Sequence, residues 1–137
     1  MREIKFRVWD TKSESMEHEI AIGKGYGEDS YILFLGIGEI FIIDEDIVKV
    51  MQYTGLKDKN GIEIYEGDIL NVYLHSVSCH TKDRIVKKIV SFENGAFTME
   101  WIDKNKTGFW SNFNTLSCDC TLEVIGNIYE NPELLEQ

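Results

Sequence analysis

Apolar and polar residues alternate along much of this chain, and the alternation has period two. Ile4, Phe6 and Val8 interleave with Lys5, Arg7 and Trp9, the pattern of an opening strand. Tyr31-Ile32-Leu33-Phe34-Leu35 and residues 39–43 are short β-branched and aromatic runs with Gly36 and Gly38 between them. They predict a hairpin, or two strands around a bend. Residues 69–74, 85–92, 96–101 and 121–128 continue the series. Short, closely spaced strands of this kind predict a mainly β fold, a small barrel or strongly bent antiparallel sheets, with at most short helices. Gly126 inside the last strand marks a candidate bulge. Gly23-Lys24-Gly25-Tyr26-Gly27 reads as a loop, because it lacks the strand-then-helix context of a phosphate-binding fingerprint.

The turns are the sharpest local signals. Asn94-Gly95 suits a type I′ hairpin, whose two central residues both need positive φ. A two-residue loop there pairs Glu93 with Ala96, Phe92 with Phe97 and Val90 with Met99. Val90, Phe92, Phe97, Met99 and Trp101 then share a dry face. Ser91, Glu93, Thr98 and Glu100 fall on a wetter one, with Ile89 and Ala96. A second Asn-Gly, Asn60-Gly61, predicts another turn of the same sort, and Gly67-Asp68 predicts a turn into the strand at 69–74. Asn131-Pro132-Glu133 has an N-cap residue, proline at N1 and an acid in the first turn, which predicts a short C-terminal helical turn.

With 137 residues and 43% hydrophobic positions, the chain can bury a core without staples. It reads as a single domain over residues 1–137, with an N-terminal β region at about 1–50 and a barrel-like region at about 51–130. Its apolar runs are far shorter than the roughly 20 residues of a spanning helix, so no membrane segment is expected. Met1-Arg2-Glu3-Ile4-Lys5-Phe6 has no apolar signal-peptide core. Cys79, Cys118 and Cys120 are an odd set, which suits a reducing cytoplasm better than a disulfide framework.

Net charge is −10, and it is unevenly spread. Residues 1–50 hold 11 acids against 6 bases, 51–106 hold 8 of each, and 107–137 hold 5 acids and no base. Such a balance opposes whole-surface binding to phosphate backbones but leaves room for a local basic patch in the middle.

The longest motif is Met51-Gln52-Tyr53-Thr54-Gly55-Leu56-Lys57-Asp58-Lys59-Asn60-Gly61-Ile62-Glu63-Ile64-Tyr65-Glu66-Gly67-Asp68-Ile69. It resembles the signature of the YopX family of phage and prophage proteins. Lys5-Phe6-Arg7-Val8-Trp9-Asp10 is similar to the family's start. Glu123-Val124-Ile125-Gly126-Asn127-Ile128-Tyr129-Glu130-Asn131-Pro132-Glu133-Leu134 is similar to its end. The resemblance spans nearly the whole chain outside residues 14–48 and 103–120. It implies a phage-derived, largely β protein of a bacterial host and supplies no reaction. Two readings of the motif stand. In one it is turn chemistry, with Thr54 and Asp58 hydrogen-bonding backbone. In the other, Gln52, Tyr53, Lys57 and Asp58 form a recognition surface, exposed enough for charge reversal to leave stability nearly unchanged.

Catalytic chemistry has little footing. His18, His75 and His80 lie in no nucleophile or metalloprotease context. Asp44-Glu45-Asp46 cannot converge on one ion from an extended strand. Cys79-His80 with Cys118-x-Cys120 departs from standard zinc spacing, since adjacent residues diverge on a strand. The expectation is therefore a non-enzymatic interaction or accessory protein, without cofactor or metal, whose partner is a phage or host protein. A second copy is a candidate partner too, because short strands expose edges. The alternative is a single-stranded nucleic-acid binder using Lys82, Arg84, Lys87 and Lys88 beside Trp101, Phe109, Trp110 and Phe113. Nucleic acid is disfavoured by the overall charge and by Asp83 inside the basic cluster.

Overall fold

A computed structural model describes residues 3–18, 20–25, 31–35, 39–42, 46–75, 84–103, 111–112 and 120–136. Its contacts divide into two compact units, Met1–Gly55 and Leu56–Gln137. Among the described residues the fold is mainly β, with antiparallel sheets and one 3-10 turn, as the period-two pattern requires.

In the first unit, β1 (Phe6–Asp10) pairs with β2 (Ser15–Glu17) on one side and β6 (Val48–Lys57) on the other. Val8 and Met51 are buried on adjacent strands, while Ile4, ahead of β1, stays exposed. Period two predicts that one face of β1 is wet. Instead Arg7 is buried as well, its guanidinium donating to Met51 Sδ at 3.6 Å. Asp10 Oδ1 accepts the backbone N–H groups of Lys12 and Ser13 at 2.7 and 3.2 Å, which turns β1 into β2. A separate sheet in the order β3-β4-β5 is formed by β3 (Ile20–Lys24), β4 (Tyr31–Leu35) and β5 (Glu39–Ile42). The β4–β5 pair is the hairpin expected there. Gly23 and Lys24 belong to β3 rather than to a loop, because backbone pairing with β4 outweighs their weak strand preference.

In the second unit, β7 (Glu63–Tyr65) leads into a five-stranded sheet that curls into a half-barrel. Its order is β11-β10-β9-β8-β12, from β8 (Asp68–Leu74), β9 (Arg84–Glu93), β10 (Ala96–Trp101), β11 (Ser111–Asn112) and β12 (Cys120–Asn127). Ile64, Leu70, Val72, Val90 and Met99 form the core, with Val86, Phe97, Leu122 and Val124 packed against it. The β9–β10 hairpin turns at Asn94-Gly95 with φ of +51° and +79° and the expected register. Two faces differ from expectation. Phe92 is 47% exposed, because it sits at the hairpin tip, where the core's cover runs out; its ring still meets Phe97 edge-on at 5.0 Å. Thr98, placed on the wetter face, is buried and bonded to Ser91 Oγ at 2.9 Å.

At Gly67 the chain folds back with φ of +79°, and Asp68 Oδ2 accepts the Tyr65 N–H at 2.7 Å. The register slips between Val124 and Gly126, the expected bulge. A Cβ at Gly126 would stand 2.4 Å from Asn131 Oδ1, so a side chain has no room there. The 3-10 turn Pro132–Leu135 follows, but Asn131 does not cap it. The Asn131 side-chain oxygen instead accepts the Asn127 N–H at 3.3 Å.

Candidate functional site

The long motif folds around one carboxylate. β6 ends at Lys57, and residues 58–62 turn the chain into β7. Asp58 Oδ1 accepts the N–H groups of Asn60 at 2.7 Å and Ile62 at 2.9 Å, while Oδ2 accepts the N–H of Val124 on β12 at 3.0 Å. Asp58 is only 7% exposed. Burial pushes its carboxyl up, but the three N–H groups bind the charged form and hold it below the usual range. Next along, the Lys59 N–H donates to the Leu122 carbonyl at 3.0 Å, and Lys59 Nζ meets Glu123 Oε1 at 2.8 Å. The Tyr73 hydroxyl donates to the same Glu123 carboxylate, and Lys59 Nζ lies 4.4 Å from the Tyr73 ring centre. Lys59 and then Tyr73 draw the Glu123 carboxyl down, and the same hydrogen bond raises Lys59. Both carboxylates are thus held ionised, with their oxygens tying the motif turn to β12. Asx chemistry of this kind was legible at Asp58. The Lys59–Tyr73–Glu123 cluster was not, because it depends on the register of β8 against β12.

Of the four motif residues, Tyr53 and Asp58 are buried. Gln52 and Tyr53 are neighbours on β6 and so point to opposite faces. Tyr53 is buried, its N–H donating to the Lys5 carbonyl at 2.9 Å and its ring 5.6 Å from Lys5 Nζ. Gln52 is half-buried opposite Phe6. Lys57 is exposed, and Asp58 is buried. The expectation that Asp58 is an exposed position tolerant of charge reversal is therefore corrected, because its carboxylate is the acceptor that closes the turn.

The basic cluster separates. Lys82 lies outside the described residues. Arg84 is exposed and Lys87 half-buried. Lys88 is only 5% exposed, since its parity on β9 matches Val86 and Val90. Its ammonium sits 4.2 Å from the Trp101 ring centre and 3.5 Å from the Met99 carbonyl oxygen, and burial pushes its pKa down. Lys88 is thus withdrawn from the surface patch proposed for it.

The structure adds a feature the sequence did not flag. Asn71, Ile85, Val86, Lys87, Trp101, Ile102 and Asp103 line an open groove of about 450 Å³. Ile85 is 58% exposed beside it. The signal available was its parity, because Ile85 stands among Asn71, Lys87 and Ser91 on the wetter face of the sheet. Cys79, His80 and Cys118 lie outside the described residues, as do Phe109, Trp110 and Phe113. Cys120 packs against the core cluster. Among the described residues no group of three or more His, Cys, Asp or Glu is placed to hold a metal. No helix among them is long and apolar enough to cross a membrane.

A family model described as YopX protein matches residues 5–136. The chain is also similar to protein EF1440 from Enterococcus faecalis, known from a crystal structure, at 34% sequence identity and a TM-score of 0.65. That likeness covers 98% of this chain and 99% of the other. No curated protein matches.

Proposed function

We propose that this chain, which belongs to the YopX family, is a non-enzymatic interaction or accessory protein of phage or prophage origin. It works in the cytoplasm of a bacterial host and binds a phage or host protein. The observation that carries this reading is the groove beside Ile85. An exposed branched aliphatic side chain, a tryptophan and a second isoleucine lie among one cation, one carboxylate and an amide. That mixture of apolar and polar lining residues is the composition of a protein-binding patch. A polyanion groove would need cations in excess. Here Lys88 is withdrawn under Trp101, and the chain carries −10 overall.

The test is affinity capture from host cells with and without nuclease, using the wild type beside Ile85→Asp and Lys87→Glu. A partner that survives nuclease and is lost from both variants, with their melting temperatures unchanged, supports the reading. A captured set identical for all three proteins removes the groove from it. Retention that vanishes with nuclease and falls steeply with salt transfers the surface to nucleic acid.

A further inference from the structure

Among the described residues β12 is the outermost strand of its sheet, and its inner side pairs with β8 along its length. An edge of this sort offers unpaired N–H and C=O groups to any other strand. Alternate residues of an antiparallel strand turn both backbone groups to the same side. Leu122 and Val124 turn theirs outward, and both meet the motif turn. The Leu122 carbonyl accepts from the Lys59 N–H at 3.0 Å, and the Val124 N–H donates to Asp58 Oδ2 at 3.0 Å. The Lys59–Glu123 ion pair adds a side-chain tie at the residue between them. A turn that is not itself a strand therefore occupies two successive outward positions, and one of its two bonds comes from a side chain.

We propose that the 58–62 turn is an edge guard: Asp58 and Lys59 occupy the outward groups of Leu122 and Val124 and so keep β12 from pairing with the β12 of a second copy. The occupant excluded is a second copy because the edge is self-complementary. Antiparallel pairing about a two-fold at Leu122 sets Glu123 opposite Thr121 and Val124 opposite Cys120, so no like charges face each other. Leu122 and Val124 also pack against the core cluster, so a paired copy would extend the same apolar face. This inference is independent of the groove.

Asp58→Asn is the discriminating variant. Its side-chain oxygen still serves Asn60 and Ile62, but its amide sets a donor against the Val124 N–H. Sedimentation across a concentration series should show its mass rising to twice that of the wild type at matched concentration. Hydrogen exchange at Val124 should be faster than wild type in dilute variant and slow again as it concentrates. Lys59→Glu, which turns the ion pair with Glu123 into repulsion, should move mass the same way and carries the test if Asp58→Asn does not fold. Folded variants whose mass equals that of the wild type at every concentration overturn the proposal. So does a wild type already paired through β12.

Discussion

Asn60-Gly61 and Asn94-Gly95 are the same dipeptide at two places in the second unit, and they fold differently. At Asn94-Gly95 both residues have positive φ, +51° and +79°, and the loop has two residues. At the other turn only Gly61 does, at +83°. There the Gly61 N–H donates to the Asp58 carbonyl at 3.0 Å and the Asp58 N–H to the Ile62 carbonyl at 2.8 Å. That is a three-residue loop, a type I turn closed by a left-handed glycine, and not the type I′ turn the dipeptide alone suggests. The difference comes from Asp58, whose carboxylate takes the Asn60 N–H and reaches on to β12. One turn is specified by its own two residues and the twist of its strands. The other is specified by an anchor in a distant strand.

The sharpest way to break this contrast is to remove the anchor. Asp58→Ala strips the acceptor from three N–H groups, so it should cost about 3 kcal/mol of stability in denaturant unfolding. Glu93→Ala, the residue before the other turn, should stay within about 0.5 kcal/mol. A cost for Asp58→Ala no larger than that for Glu93→Ala would mean the anchor is decorative. Acid makes the same point. Asp58 and Glu123 have lowered folded-state pKa values, so their contribution is complete above the ordinary carboxylate range near about 4 and is lost as pH falls through the folded values. Unfolding measured from neutral pH downward should show this loss, and it should be smaller in Asp58→Ala.

The two glycines refine the comparison. No atom lies within 4 Å of where a Cβ would stand on Gly61 or Gly95, so replacement by alanine is felt through backbone φ alone. Each should cost about 1 kcal/mol. The expected difference lies in coupling. In an Asp58→Ala background the Gly61→Ala cost should shrink, since the turn is already released, while the Gly95→Ala cost should persist. Equal costs in both backgrounds would show that the 58–62 turn keeps its shape without its anchor.

The hairpin at Asn94-Gly95 was the most legible part of the fold because everything that determines it is local. Phe92 shows where that legibility stops. Alternation states which side a residue faces but not how far the opposing cover extends. Phe92→Ala should therefore cost about 1 kcal/mol, mostly its edge-on contact with Phe97, rather than the several expected of a fully buried ring. Asp58 was half legible: Asx chemistry in the turn could be read, but its bond to Val124, 66 residues away, could not. The groove required knowing which residues of β8, β9 and the end of β10 line one opening.

Lys88 carries the smallest expected effect. Reading residues 82–88 as a charge cluster made it a surface cation, whereas the parity of β9 already placed it with Val86 and Val90. Its aliphatic stem fills core-side space, and its ammonium is held by the Trp101 ring and the Met99 carbonyl. Burial lowers its pKa, so folding disfavours the charged form on balance. Lys88→Met keeps the length and apolar volume and removes that desolvation, at the loss of one long hydrogen bond and a cation–π contact. The net should be near zero, within about 1 kcal/mol in either direction. The sign of the pH dependence is the sharper readout. A depressed lysine pKa means wild-type stability gains as pH rises through the folded value toward the ordinary one near about 10.4, and Lys88→Met should lack that gain. A loss of several kcal/mol in Lys88→Met would show instead that the ammonium holds the β9–β10 pair together.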